Sequence, residues 1–219
     1  MKEPEYLTDA FARETVRFIH KNKDKPFFAH VPFNAVHTPI EASKKYLDRF
    51  PDVKNPQQKT YNAMVSALDD AVGAIITALK ETQTEKNTLV IFMNDNGGPI
   101  YNNGTAGANN YPLKGTKMAN WEGGVRTNAF VSGGFLKQFA PSRVGSKLEG
   151  YVHVCDGYAT FCALGGCSKH DERAAIANLP PVDSIDMWPY LSGKVDASPR
   201  TTIHMDPGVA VRGDLKLLV

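Results

Sequence analysis

Three short stretches of the sequence carry polar residues whose chemistry suits a common site. His37 lies two residues before a proline, and an imidazole on a loop stiffened in this way can donate a proton or bind an anion. Asp95 and Asn96 lie in a glycine-rich turn and offer hard oxygen donors, which suit Ca²⁺ or Mg²⁺ better than Zn²⁺. Lys117 carries an ammonium group that can pair with an oxyanion.

Each of these residues also has an ordinary structural interpretation. A run of Asn, Asp and Gly is typical of a plain turn, and most loop histidines and lysines are simply solvated. Taken one at a time, the metal-binding, proton-donating and anion-binding interpretations stay open beside the ordinary ones. The case for a site depends on whether the fold brings the three stretches together.

The order of the apolar segments predicts that it does. Residues 27–33 and 88–93 are apolar runs typical of buried strands, and between them apolar residues recur at helical spacing over residues 60–82. Strand, helix and strand at this distance indicate a βαβ unit, whose parallel strands end at one sheet edge, where open α/β sheets bind ligands. A strand over residues 125–131 has no helix before it, so we expect it to run antiparallel. The histidine, the Asp–Asn turn and the lysine loop then share that edge.

Further elements follow from capping and turn signals. Thr8 is the expected N-cap of a helix over Asp9–Asn22, which has one apolar face. A third helix, over residues 152–164, is expected to end at Gly165-Gly166. Residues 209–217 predict a β-hairpin around Gly213-Asp214.

Composition limits the class of protein. The chain has 219 residues with a formal net charge of +2, too balanced for a nucleic-acid-binding surface, and 42% hydrophobic residues, enough for a core of about one domain. No run of apolar residues reaches the ~18 of a membrane span. The first residues contain no apolar stretch, so we expect no signal peptide in this sequence.

The cysteines and one sequon leave alternatives open. Cys155, Cys162 and Cys167 are too few for a disulfide framework and lack the paired spacing of zinc ligands. Cys162 and Cys167 either form a disulfide or remain free thiols. Asn103 begins an Asn-Gly-Thr sequon, which is a glycosylation acceptor or a chance match.

Together these segments resemble the type I (formylglycine-dependent) sulfatases of the alkaline phosphatase superfamily, in particular the arylsulfatase B-like branch. The similarity extends in the family's order from about residue 6 to the C-terminus, and the ordered set is more specific than any single motif. The matching stretches are Pro26-Phe27-Phe28 with Asn34-Ala35-Val36-His37-Thr38-Pro39; Leu68-Asp69-Asp70-Ala71; Thr88-Leu89-Val90-Ile91-Phe92 with Asp95-Asn96-Gly97-Gly98; Pro112-Leu113-Lys114-Gly115 with Lys117; Trp121-Glu122-Gly123-Gly124-Val125-Arg126; Val182-Asp183-Ser184; and Ser198-Pro199-Arg200.

The resemblance implies a fold and a domain division. The fold class is α/β: part of an alkaline phosphatase-like three-layer sandwich with a mostly parallel mixed sheet, followed by a smaller antiparallel C-terminal region. Residues 1–165 correspond to the C-terminal portion of the catalytic domain. Residues 166–219 correspond to the start of the smaller subdomain.

The resemblance also implies roles. Asp95 and Asn96 would be two ligands of the family's Ca²⁺, with Mg²⁺ as the other option. His37 and Lys117 would contact the sulfate group, and one of them would assist departure of the alcohol. The nucleophile would be the hydrated aldehyde of a formylglycine, with charge on the sulfuryl oxygens stabilised by the cation and the basic residues. The substrate would be a sulfated small molecule or glycan, and the compartment lysosomal, secreted or periplasmic.

The sequence departs from the family at the nucleophile. Formylglycine is made at a Cys-x-Pro-Ser-Arg motif, which none of the three cysteines matches, and the family's N-terminal Asp-Asp pair has no counterpart. We therefore expect a sulfatase fragment that is inactive by itself, with the formylglycine upstream. Two alternatives stay open: a non-catalytic sulfatase-like module that binds sulfated glycans or a partner, and a phosphate or phosphonate ester hydrolase of the same superfamily.

Overall fold

The computed structural model describes residues 5–100 and 106–219. The chain comprises two compact units, the first ending at Gly134 and the second running from Phe135 to Val219. The domain boundary expected at residue 165 stays a prediction. The sequon at Asn103 lies outside the described residues.

The first unit holds the predicted site residues. Its described elements are α1 (Leu7–Asn22), α2 (Lys44–Leu47), α3 (Pro56–Glu81), a 3₁₀ turn (Glu85–Asn87), β1 (Val90–Met93), α4 (Glu122–Val125) and β2 (Ala129–Ser132). Both long helices confirm the prediction from apolar spacing. They begin earlier than predicted, however, and for different reasons.

The start of α3 is set by its cap. The side chain of Asn55 accepts a hydrogen bond from the backbone N–H of Gln58 at 2.9 Å, and Pro56 occupies the first turn, where a missing N–H breaks no helical hydrogen bond. Pro56 is therefore the first residue of the helix. The N-cap of α1 is Tyr6 and not Thr8, whose side chain is buried within the first turn.

The core of this unit forms where α1 and α2 pack on α3. One cluster joins Ile19 of α1 to Ala78 and Leu79 of α3. A second joins Tyr46 of α2 to two fully buried alanines of α3, and the Tyr46 hydroxyl donates to Asp9 Oδ1 at 2.6 Å. Small residues on one side of α3 let the neighbouring helices approach it closely.

Helix α3 also meets the length and composition criteria of a membrane-spanning helix, the one such helix among residues 5–100 and 106–219. Apolar helices in protein cores meet the same criteria. The buried side of α3 is covered by α1 and α2, and its exposed side carries Asp69 and Asp70. These contacts are those of a core helix.

The sheet differs from the predicted βαβ unit in one strand. β1 pairs with β2 in the expected antiparallel sense, with Val90 opposite Ser132 and Met93 opposite Ala129. The run 27–33, predicted to be a buried parallel strand, is not a strand, and within the described residues no ladder hydrogen bonds join it to β1. A strand needs a backbone partner as well as apolar side chains. Here Phe27 packs on the α1–α3 core, while Phe28 is 70% exposed.

The second unit combines short helices with an antiparallel sheet. Its described elements are α5 (Gly134–Phe139, which begins at the boundary), a 3₁₀ turn (Pro141–Arg143), α6 (Asp156–Gly165), α7 (Glu172–Ile176), α8 (Trp188–Leu191), β3 (Thr202–Asp206), β4 (Val209–Arg212) and β5 (Leu215–Leu218). The three strands form a meander in chain order. This confirms the predicted hairpin at residues 209–217, and β3 adds a strand that the sequence did not indicate.

Helix α6 organises this unit. It ends as predicted, with Gly166 in the left-handed conformation at φ 70°. Near its start Asp156 is fully buried and accepts hydrogen bonds from Arg200 Nε at 2.7 Å and Nη2 at 2.5 Å. Its carboxylate also accepts from the backbone N–H groups of His153 and Ile185. A buried carboxylate so fully paired joins three segments far apart in sequence.

Candidate active site

The structure brings together two of the predicted residues, although 80 positions separate them. Lys117 Nζ lies 2.9 Å from His37 Nε2, and His37 Nδ1 lies 2.6 Å from the backbone oxygen of Thr38. A carbonyl oxygen only accepts hydrogen bonds, so Nδ1 carries the proton of that contact. Nε2 then accepts from the Lys117 ammonium with its lone pair. The geometry therefore corresponds to a neutral imidazole beside a cationic ammonium group.

The Asp95–Asn96 turn directly follows β1. Its own contacts are local: Asp95 Oδ1 accepts from the backbone N–H of Asn96 at 2.8 Å, and Asn96 Nδ2 donates to Gly97 O at 2.7 Å. The Asp95 side chain faces solvent and that of Asn96 is half-buried. The backbone N–H of Lys117 donates to Gly98 O at 3.2 Å. The lysine loop thus lies against the end of this turn, as the sequence analysis expects.

Asn110, which was not among the predicted site residues, holds the two loops together. Asn110 Oδ1 accepts from the N–H of Gly98 at 2.8 Å, while its Nδ2 donates to Gly98 O at 2.7 Å and to Gly115 O at 3.2 Å. One side-chain amide therefore joins the turn after β1 to the segment that leads to Lys117. An asparagine in a polar loop gives no sign of this role, since its partners are backbone atoms.

Glycines pack the backbones of these loops against each other. A Cβ at Gly97 would overlap the carbonyl oxygen of Gly123, and a Cβ at Gly124 would overlap that of Ala119. Two backbone hydrogen bonds pass through the same contact, from Gly97 N to Gly124 O at 2.9 Å and from Gly123 N to Lys114 O at 2.7 Å. The glycines therefore have a packing role: they let the two backbones approach more closely than any side chain would allow.

The donors of the turn fit a hard cation by type. Asp95 supplies a carboxylate, and with Nδ2 of Asn96 engaged by Gly97, the Oδ1 atom of the same amide is the side-chain acceptor left for a ligand. Two oxygen donors are fewer than the six to eight that Ca²⁺ takes. In the part of the chain that the structure describes, no group of three or more His, Cys, Asp and Glu side chains could hold a metal.

The chain matches one protein family over most of its length. The family model "Sulfatase" matches residues 1–167. Among curated proteins, arylsulfatase J of Mus musculus is 34% identical over 185 residues, covering 84% of this chain and 28% of that protein. N-acetylgalactosamine-6-sulfatase of Canis lupus familiaris is 26% identical over 189 residues, covering 85% of this chain and 33% of that protein. The chain thus spans about a third of the length of these relatives.

Comparison with solved structures supports the same family. The crystal structure of Ps i-CgsB in complex with k-i-k-neocarrahexaose is 34% identical with a TM-score of 0.82, over 100% of this chain and 47% of that chain. The PsFucS1 sulfatase from Pseudoalteromonas sp. is 27% identical with a TM-score of 0.75, over 95% of this chain and 40% of that chain. The fold is part of the alkaline phosphatase-like α/β fold of sulfatases, as expected. On the strength of the family match and these structural relatives, the chain belongs to the sulfatase family, whose members are sulfate ester hydrolases.

Proposed function

We propose that this chain supplies the sulfate-contacting and part of the metal-binding side of a sulfate ester hydrolase site. His37 and Lys117 contact the sulfate group in this proposal, and Asp95 and Asn96 are ligands of a Ca²⁺ ion, with Mg²⁺ as the other option. The observation that carries the proposal is the 2.9 Å contact between Lys117 Nζ and His37 Nε2, made across 80 residues of sequence. The family membership of the chain supports the reaction class.

The His–Lys pair suits a sulfate ester because it is positively charged and because it has N–H donors and a proton to offer. The Lys117 ammonium has three N–H donors, of which His37 uses one. The remaining donors can reach sulfuryl oxygens, whose negative charge grows as the S–O bond breaks, and fixed donors stabilise such charge without reorganisation. The leaving alcohol oxygen needs a proton. The proton between Nζ and Nε2 is the one that the pair can deliver to it.

His37 is oriented for this task by its other nitrogen. The contact from Nδ1 to the Thr38 carbonyl, at 2.6 Å, fixes the ring so that Nε2 points at Lys117. A histidine held in one tautomer by a backbone acceptor presents a defined nitrogen to its partner. In this proposal Thr38 sets the tautomer, and the Lys117 loop, held by Asn110 and Gly98, sets the distance.

The cation and the nucleophile complete the proposal. A bound Ca²⁺ would polarise the sulfuryl oxygens as a Lewis acid, with Asp95 and Asn96 as two of its ligands and the others on segments outside this sequence. The formylglycine nucleophile is proposed to lie upstream as well, since no cysteine of the chain stands in a Cys-x-Pro-Ser-Arg motif. We therefore propose that residues 1–219 bind sulfate without hydrolysing an ester.

The proposed substrate class is a sulfated glycan. The supporting observation is that Ps i-CgsB, which is similar to all of this chain over 47% of its own length, was solved in complex with k-i-k-neocarrahexaose. A lysosomal, secreted or periplasmic location is part of the same proposal.

Sulfate binding tests the His–Lys pair directly. The chain is labelled with ¹⁵N-histidine and titrated with sodium sulfate at constant ionic strength, with sodium perchlorate as the control anion. We expect the side-chain ¹⁵N resonances of His37 to shift with sulfate and those of the other histidines to stay unchanged. The substitution Lys117→Met should remove this response. Lys114→Met is the matched control, since the Lys114 ammonium lies over the Trp121 ring at 4.0 Å and not beside His37.

The remaining parts of the proposal have their own readouts. Ca²⁺ titration should shift the backbone resonances of the Asp95–Asn96 turn, and Asp95→Asn should abolish the shift while Asp69→Asn, an exposed helix position, should not. A His37 response that is absent, or equal for sulfate and perchlorate, would refute the sulfate contact. Turnover of 4-nitrophenyl sulfate by the chain alone would refute an external nucleophile. Binding of a sulfated oligosaccharide without any His37 response would favour the non-catalytic module.

A further inference from the structure

The C-terminal end of helix α6 places two thiols side by side. The backbone N–H of Cys167 donates to Cys162 O at 2.9 Å, and that of Gly166 donates to Ala163 O at 3.3 Å. With Gly166 left-handed, these bonds form a Schellman motif, in which the side chains of the first and last residues contact each other. Cys162 and Cys167 hold those two positions.

Side-chain contacts confirm the proximity. The thiol of Cys167 lies 3.5 Å from the backbone oxygen of Cys162, so it folds back over the helix end. The pKa of the Cys162 thiol is raised, first by burial and then by the contact with Cys167. Cys162 is half-buried, whereas Cys167 is exposed. One thiol of the pair is therefore open to an oxidant in solution while the other lies next to it.

We propose that Cys162 and Cys167 are a disulfide-forming pair, a covalent modification site that closes the end of α6. Disulfides need Cα atoms within roughly 4.4–6.8 Å, and the backbone hydrogen bond from Cys167 to Cys162 together with the contact between their thiols holds the two residues next to each other. The link therefore forms without unwinding the helix. Its short loop of six residues, Cys162 to Cys167, is already closed by backbone hydrogen bonds.

A low-molecular-weight disulfide such as glutathione disulfide can oxidise the Cys162–Cys167 pair by thiol–disulfide exchange. The Cys167 thiolate attacks one sulfur of the oxidant, and one glutathione thiolate leaves with its electron pair. The Cys162 thiolate then attacks Cys167 Sγ, and the second glutathione thiolate leaves. The two cysteines lose two electrons and two protons in total, and two molecules of glutathione carry them away.

The third cysteine has different surroundings and serves as the control. Cys155 Sγ lies 2.8 Å from His153 Nδ1 and 3.4 Å from Arg200 Nη2, at the other end of α6. Its sulfur contacts the side chains of His153, Arg200 and Asp156, and none of these carries a thiol. Cys155 is therefore expected to remain reduced while the other pair is oxidised.

Mass spectrometry of the native full chain tests the pairing. After incubation with a glutathione redox buffer, free thiols are alkylated, and trypsin releases residues 148–169, which contain all three cysteines. We expect this peptide to lose two hydrogen masses and to carry one alkyl group, on Cys155. Chymotrypsin then cuts after Leu164, and the two pieces stay joined until a reductant is added.

Variants and an unfolded reference decide the outcome. Cys162→Ser and Cys167→Ser should each abolish the link, whereas Cys155→Ser should leave it intact. In concentrated guanidinium chloride the same oxidation should give a mixture that includes Cys155–Cys162. The same mixture from the native chain, or alkylation of all three thiols, would overturn the proposal. None of these readouts depends on sulfate or Ca²⁺ binding.

Discussion

The buried ion pair of the second unit offers the sharpest test of the structure. Asp156 is fully buried and the side chain of Arg200 is 11% exposed. The substitution Arg200→Met keeps the apolar stem but leaves a buried carboxylate whose remaining donors are the N–H groups of His153 and Ile185 and the thiol of Cys155. Removing one partner of a buried pair typically costs about 3–5 kcal/mol. We expect a loss in that range in the unfolding free energy of the second unit.

A matched ion pair in the same unit sets the lower reference. Arg143 lies 3.9 Å from Asp196, whose side chain is fully exposed. Exposed pairs contribute about 0–1 kcal/mol, so Asp196→Asn should barely change the unfolding free energy. The contrast between the two substitutions measures burial of the ion pair together with the further contacts of the Arg200 guanidinium to Asp183 O and Cys155 Sγ.

Urea unfolding followed by tryptophan fluorescence measures both effects. The chain has two tryptophans, and Trp188 lies in the second unit with its ring 5.4 Å from that of Phe135. The background substitution Trp121→Phe removes the reporter of the first unit. An Arg200→Met loss no larger than that of Asp196→Asn would refute the buried pair. Adding Asp156→Leu to Arg200→Met should recover part of the loss, because no unpaired charge then remains buried.

Three further predictions concern single contacts. Burial alone would raise the pKa of Asp156, but its hydrogen bonds from Arg200 and two backbone N–H groups lower it overall. The stability that results is fully present above the unfolded carboxyl pKa of about 3.9, and it is lost as the pH falls from there through the pKa of the folded state. Acid unfolding followed by Trp188 fluorescence measures this loss. Gly166→Ala should destabilise the protein by about 1 kcal/mol because the Gly166 backbone is left-handed. Gly73→Ala should instead stabilise α3 by about 0.5–1 kcal/mol, because this position is helical and a Cβ would meet open space. Urea midpoints measure both changes, and a shift in the same direction for both substitutions would contradict the reasoning. Tyr46→Phe should cost about 1–2 kcal/mol through loss of the bond to Asp9, and an unchanged urea midpoint would contradict it.

Apolar spacing predicted the long helices, because helical periodicity is a local property of a sequence. The antiparallel direction of the next strand was predicted correctly, although the strand begins at Ala129 and residues 122–125 form the short helix α4. Apolar spacing could not predict whether the run 27–33 has a strand partner. That depends on which backbone lies beside the run, and no residue type encodes it. The same limit applies to β3, which pairs only because β4 follows it.

In the candidate site and in the second unit, too, some contacts could be predicted from the sequence and others could not. The shared sheet edge was predicted from a parallel strand over residues 27–33 that the structure does not have, yet the structure places His37 and Lys117, the residues that the resemblance also selects, in contact. The contacts made by Asn110 and Arg200 were not predicted, since the partners of both side chains depend on the fold. Asn110 binds backbone atoms of two loops, and Arg200 reaches a carboxylate 44 residues away. Roles of this kind follow from three-dimensional neighbours and not from residue type.

The contact of backbone against backbone at Gly97 and Gly123 has a consequence for engineering substrate choice. Positions without room for a Cβ offer nothing to a mutational library, so variation there only removes folded protein. Two outward-facing side chains lie beside the same loop: Tyr111 is 87% exposed and Met118 is 90% exposed. At Met118 the positive φ of 70° disfavours β-branched replacements. If the proposed glycan substrate binds beside this loop, its selectivity is to be changed at those outer positions, with the contact between the glycine backbones left unchanged.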